Sequence, residues 1–133
     1  MSQENVEIVK RLYGFWLDRD FSTIADLVNP DAVLDLSRNV FNPGIHRGLD
    51  GFRRFVEEID ETWEDFRITP EEFVDAGINV FVAYRISGKG RGSGVEANMR
   101  VFGVWTLRGG RVSRFAGGYR DRTDALEAAG LSE

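Results

Sequence analysis

The sequence predicts an α+β fold in which helices come first and a mostly antiparallel sheet follows. Two observations carry this. Up to Trp63 the apolar residues recur chiefly at helical spacing, with one short alternating stretch among them. Beyond Phe66 the chain becomes long runs rich in Val and Phe, separated by glycine-bearing turns and closed by one short helix. The order is therefore α-α-β-α-β-β-β-β with a small C-terminal helix.

Val6, Val9, Tyr13, Trp16 and Leu17 fall on one helical face, with Ser2 placed to cap the helix and Glu4 to complement its dipole. Asp20 is positioned to cap a second, short helix carrying Ile24, Leu27 and Val28, which Asn29-Pro30 stops. Residues 32–37 alternate as a strand, with Leu34 and Leu36 on one face and Val33 and Asp35 on the other. Residues 38–47 read as a loop. A third helix opens at 48–51, and Phe52, Phe55, Val56, Ile59 and Trp63 form its apolar stripe. Strands follow at 66–75, 78–88 and 95–107, and Pro70 marks the first of them as an edge or a bulge. The Gly-rich segment 89–94 joins two strands, so it reads as a hairpin and not as a phosphate-binding loop. A tight turn at Gly109-Gly110 leads to a strand at 112–119. There Gly117-Gly118 adds one residue and predicts a bulge that re-aims Tyr119.

A chain of 133 residues is read as one domain, 1–133, long enough for a real core. Aromatics make up 12%, including ten Phe and three Trp, which suits a wide core or an apolar pocket. The net charge of −5 and the absence of a basic stripe argue against a nucleic-acid partner. With no cysteine, disulfides, thiolate catalysis and Cys-ligated metals are excluded, and a single histidine excludes a multi-His site within one chain. No metal and no organic cofactor is expected. Neither a secretory leader nor an apolar run of about 18 residues is visible, so a cytoplasmic location without a membrane partner is expected.

Particular segments carry a family resemblance. They are Glu4–Val9, Arg19–Phe21, Asn29–Ala32, His46–Gly51, Trp63–Phe66, Gly90–Gly94, Val104–Leu107 and the closing Asp121–Leu131. Together, over nearly the full chain, they resemble the SnoaL-like branch of the NTF2-like (ketosteroid-isomerase-like) superfamily. The resemblance implies a cone of curved strands closed by the first three helices around an apolar cavity, and a homodimer formed through the outer face of the sheet. It implies no single activity, because isomerases, polyketide cyclases, epoxide hydrolases, dehydratases and inactive members share the fold.

Ketosteroid isomerases place a base on the first strand, a Tyr on the first helix and a second acid on a later strand. Here the base position falls on Leu36, with Asp35 one residue away. Tyr13 lies close to the helix position, and Gly103 stands where the second acid would be. Limonene-type epoxide hydrolases use an Asp–Arg–Asp relay. Arg85 matches the arginine, but Ser87 and Gly117 or Gly118 replace the acids, and Leu34 and Leu36 replace the water-holding Tyr and Asn. That relay needs both acids, so this mechanism is not expected.

Arg85 reads two ways: as an anchor for an anion or enolate inside the cone, or as an outer-face guanidinium paired with a carboxylate such as Asp75 or Glu96. Asp121 is an acid near the pocket mouth and also a good N-cap for the last helix. His46 is the only histidine and so the one candidate of that residue type for a general base, but no partner for it is evident nearby in sequence. Arg38 shares parity with Leu34 and Leu36, reaching either the rim or a surface salt bridge. The candidate catalytic set is thus Arg85, Asp121, Tyr13, Asp35 and His46. The candidate cavity set is Trp16, Leu34, Leu36, Trp63, Met99, Val101 and Tyr119, each of which could equally be core.

The leading expectation is cofactor-free proton transfer on a hydrophobic, oxygenated small molecule of polyketide, steroid-like or terpenoid type, giving isomerisation, cyclisation or dehydration. A non-catalytic pocket for an apolar ligand is the second expectation, favoured by Gly103 and by the leucines at 34 and 36. A dimeric scaffold is the third, and it would show broad apolar exposure on the outer face of the sheet.

Overall fold

The computed structural model describes residues 2–131. Three helices open the chain: α1 (Ser2–Tyr13), α2 (Phe15–Asp18) and α3 (Phe21–Leu27). The expected Ser2 cap rests on a side chain outside the described part. Strand β1 (Val28–Asp35) and the short β2 (Ile45–Arg47) precede α4 (Gly48–Thr62). Four long strands follow, β3 (Trp63–Ala76), β4 (Asn79–Gly90), β5 (Glu96–Arg108) and β6 (Arg111–Tyr119), before α5 (Arg122–Ala128).

The strands form one open six-stranded sheet in the order β2-β1-β6-β5-β4-β3. All pairings are antiparallel except β1 with β6, so the sheet is mixed. The β5–β6 hairpin turns on Gly109 and Gly110 at φ of 60° and 78°, the left-handed values that a two-residue turn needs at both central positions. Pro70 sits on edge strand β3 beside a register shift, where a missing N–H costs no ladder bond.

Helices cover both sides of the sheet. On the concave side α1, α3 and α4 pack Val9, Ile24, Phe55 and Ile59 against Val80, Val82 and Val101. On the convex side α5 lays Ala125, Leu126 and Ala129 over Phe81, Ala83, Phe102 and Val104. The β4 run Val80–Tyr84 is therefore buried on both faces. Among the described residues no helix is long and apolar enough to cross a membrane.

The structure corrects several boundaries. Tyr13 and Trp16 do not share one continuous helix. The chain breaks at Gly14, and Arg19 ends α2 in the left-handed region at φ 57°. Leu17 consequently points into solvent, 91% exposed, instead of joining the apolar face. Arg19 locks this corner with two bonds to the Asp60 carboxylate on α4, at 3.1 and 3.0 Å. Asp20 caps α3, accepting from the Ser22 N–H at 2.9 Å.

Val28, placed on the second helix by its spacing, is instead the first residue of β1, so α3 ends at Leu27, before Asn29-Pro30. The segment read as a loop contains β2, which exists through its pairing of Leu34 with His46 and Asp35 with Ile45. Three residues are too few to show a period in sequence. Trp63, placed on the third helix by its spacing, is the first residue of β3.

Candidate functional site

Strand alternation determines the site. Along β5, Met99, Val101 and Trp105 face the concave side. Along β4, Tyr84 and Ile86 do the same, and Leu34 on β1 joins them. With Tyr13 of α1, Trp16 of α2 and the Phe52–Phe55–Ile59 stripe of α4, they enclose a pocket of about 860 Å³, open mouth included. All three tryptophans, Trp16, Trp63 and Trp105, line it. A smaller space of about 580 Å³ lies behind a wall that includes Tyr13, Trp105 and Phe115.

Few polar atoms face this space. The Tyr13 hydroxyl accepts from the Trp105 indole N–H at 3.2 Å. The Tyr84 hydroxyl accepts from the Gly118 backbone N–H at 3.1 Å. Burial holds the Tyr13 phenol well above its usual pKa, with the neighbouring Tyr84 adding to the effect and the Trp105 bond opposing it. Burial pushes Tyr84 up to about 12, against the Gly118 bond. Both phenols are thus neutral at pH 7, each with a lone pair engaged by a fixed donor and its own proton left to donate. At the mouth, Asn42 accepts from the Trp63 indole N–H at 3.0 Å and donates to Thr62 at 3.2 Å. The Asn39 side-chain oxygen is buried without a partner.

The residues singled out from sequence separate into two groups. Tyr13, Trp16, Leu34, Leu36, Trp63, Met99 and Val101 line the pocket. The titratable candidates lie elsewhere. Asp35 is buried on the other face of β1. It accepts from Arg114 at 2.8 Å and from the Ser37 hydroxyl at 2.7 Å, and Arg38 stands 3.6 Å away. The Ser37 bonds and the two guanidinium groups hold its carboxyl below the usual range despite its burial.

Arg85 belongs to the outer face, not to the cone. Its guanidinium donates to Asn98 at 2.9 Å and lies 3.5 Å from Glu71, which also meets Arg100 at 3.1 Å. Asp121 caps α5, accepting from the Thr123 N–H at 2.8 Å. His46, on β2, rests its ring on Phe55 at 5.2 Å, and its Nε2 is buried without a partner. None of these four lines the pocket.

Tyr119 is displaced by the bulge. Phe102 pairs with Tyr119 and Val104 with Ala116, so Gly103 alone faces both Gly117 and Gly118. Gly118 sits at φ 82° against the Asn39 backbone. The extra residue turns Tyr119 outward, where Arg38 lies 4.4 Å over its ring, and brings Arg120 to the pocket lining. Tyr84, Trp105, Asn39 and Arg120 were absent from the candidate set. For Tyr84 a signal existed, because it shares parity with Val80 and Val82.

Phe115 explains why acids are absent from the two glycine positions. A Cβ at Gly103 would lie 2.6 Å from two atoms of its ring, and one at Gly117 would strike the same ring. The ring occupies the space that side chains at 103 and 117 would need. Among the described residues, no group of three or more His, Cys, Asp or Glu is placed to hold a metal.

Fold and pocket together define an NTF2-like protein, an α+β sheet curved around an apolar hollow. The SnoaL-like domain profile matches residues 9–115, and the chain belongs to that family. Solved structures share the fold. An NTF2-like protein from Burkholderia thailandensis is 24% identical over 94% of this chain and 95% of its own, with a TM-score of 0.77. TerC, crystallised with polyporic acid, is 22% identical over 96% of this chain and 98% of its own, with a TM-score of 0.74. A protein of ketosteroid-isomerase-like fold from Catenulispora acidiphila, in complex with trimethylamine, is 17% identical over 94% and 93%, with a TM-score of 0.73. Among curated proteins, none matches the sequence.

Proposed function

We propose that this protein binds a largely apolar, oxygen-bearing small molecule in the pocket, held by shape and by two phenolic donors. The carrying observation is the pocket wall. It is built mainly from aromatic and aliphatic side chains and, among the described residues, contains no carboxylate and no imidazole, while Tyr13 and Tyr84 each present a donor. General acid–base chemistry needs a titrating group within about 3 Å of the proton it moves. Asp35, Asp121 and His46, the groups suited to that task, line other parts of the molecule. Solved relatives of this fold bound to small molecules add support.

The test is a fluorescence titration with N-phenyl-1-naphthylamine, a neutral aromatic probe. Because every tryptophan lines the pocket, binding is expected to quench tryptophan emission saturably with one site per chain. Met99→Trp, which fills the pocket, is expected to abolish it. Linear, non-saturating quenching, or binding indifferent to Met99→Trp, would overturn the proposal.

Proton-transfer catalysis on a polyketide-, steroid- or terpenoid-like ketone is a second reading, and the Tyr13–Tyr84 pair favours it. Two neutral donors with ring centroids 6.4 Å apart are suited to an enolate oxygen, the α-proton then passing to solvent hydroxide or a buffer base. Its test is deuterium exchange α to the carbonyl of 2-tetralone, followed by NMR. Exchange above background that falls in Tyr13→Phe and Tyr84→Phe would favour catalysis over binding alone. The scaffold reading has less support. The convex face outside α5 carries Glu71, Arg85, Asn98 and Arg100, and its apolar part is covered.

A further inference from the structure

We infer that the ligand of this pocket carries an anionic head, a carboxylate, sulfonate or enolate oxygen, and that Arg120 is the residue that selects it. The inference rests on the binding reading above and deepens it. Arg120 is the one charged side chain among the pocket-lining residues. Arg85 and Arg100 are committed to Glu71 and Arg114 to Asp35, and none of the arginines in the strands lines the pocket. Arg122, at the start of α5, is committed to Glu72. Arg120 forms no hydrogen bond or ion pair with another described residue.

Its position is a product of the bulge. In a regular β6, Phe115, Gly117 and Tyr119 would point to the concave side, and residue 120 would point away. The residue added at Gly117-Gly118 reverses the phase, so Tyr119 leaves and Arg120 joins the pocket lining. The groups nearest along the chain and across the bulge suit the same ligand. Tyr84 is tied to Gly118, two residues from Arg120, and offers a neutral O–H donor. Asn39, packed against Gly118, also lines the pocket beside Arg120. A guanidinium with no carboxylate partner, at the rim of an apolar hollow, is complementary to an apolar body that ends in an anionic oxygen.

The experiment compares two probes that share one aromatic skeleton: N-phenyl-1-naphthylamine, which is neutral, and 8-anilino-1-naphthalenesulfonate, which adds an anion. The wild type is expected to bind the sulfonate about five- to tenfold more tightly, a partly exposed charge-assisted contact. That advantage is expected to shrink in 0.5 M NaCl. Arg120→Gln is expected to bring the sulfonate down to the affinity of the neutral probe and leave the neutral probe unchanged. Arg85→Gln, the same charge change on the outer face, is expected to alter neither.

Equal binding of both probes by the wild type, or an equal loss of both in Arg120→Gln, would overturn the assignment of Arg120 and leave the pocket reading standing. Failure of the neutral probe to bind saturably would overturn the pocket reading itself, and failure of the sulfonate alone would overturn the assignment of Arg120.

Discussion

Gly103→Ala tests whether Phe115 fills the place of a side chain. Gly103 lies in a strand at an ordinary backbone angle, so with open space around it alanine would stabilise by roughly 0.5–1 kcal/mol. The structure reverses that sign. The new methyl would sit 2.6 Å from Cε1 and Cζ of Phe115 and 3.2 Å from the Ala116 carbonyl oxygen. The ring has little room to retreat, because the Trp105 ring lies against it with centroids 4.2 Å apart. Overpacking of this kind costs about 1–3 kcal/mol, a fall in Tm on the order of 4–12 °C for a chain of this size. The assay is urea unfolding followed by tryptophan emission, in a double-mutant cycle with Phe115→Leu. In the shortened background Gly103→Ala should become neutral or stabilising, a coupling of about 1–3 kcal/mol between the sites. A stabilising Gly103→Ala in the wild-type background would refute the reasoning.

Other outcomes follow from the same geometry. Tyr84→Phe removes the acceptor of the Gly118 N–H and should cost about 1–3 kcal/mol in urea unfolding even without a ligand. Asp121→Ala removes the α5 cap and should cost about 1 kcal/mol in the same assay. N-phenyl-1-naphthylamine should bind it with unchanged affinity, and lost binding would return Asp121 to the pocket. Asp35 has a folded-state pKa below the 3.8 of the free group, so its contribution is complete above that pH and is lost as pH falls through the folded value. Asp35→Asn should therefore lower stability at pH 7 by about 1 kcal/mol and flatten the acid limb below about pH 4, both read from denaturation midpoints across pH.

What could be read from sequence was local. The caps at Asp20 and Asp121 need only a side-chain oxygen two residues before an N–H, and both form as spaced. The separation of Leu34 from Asp35 follows from the two-residue period of a strand. The SnoaL-like family was legible because its segments are spread along nearly the whole chain.

Tertiary structure decided the rest, because those outcomes depend on partners distant in sequence. The face of Arg85 could not be read from β4, since Val80–Tyr84 is apolar on both faces and only α5 shows which side is convex. Strand β2 and the parallel β1–β6 pairing exist only through their neighbours. One added residue at Gly117-Gly118 was visible in the sequence. Its consequence, Tyr119 turned out and Arg120 turned in, required the opposing strand, because a bulge shifts the phase of alternation only relative to the strand it pairs with.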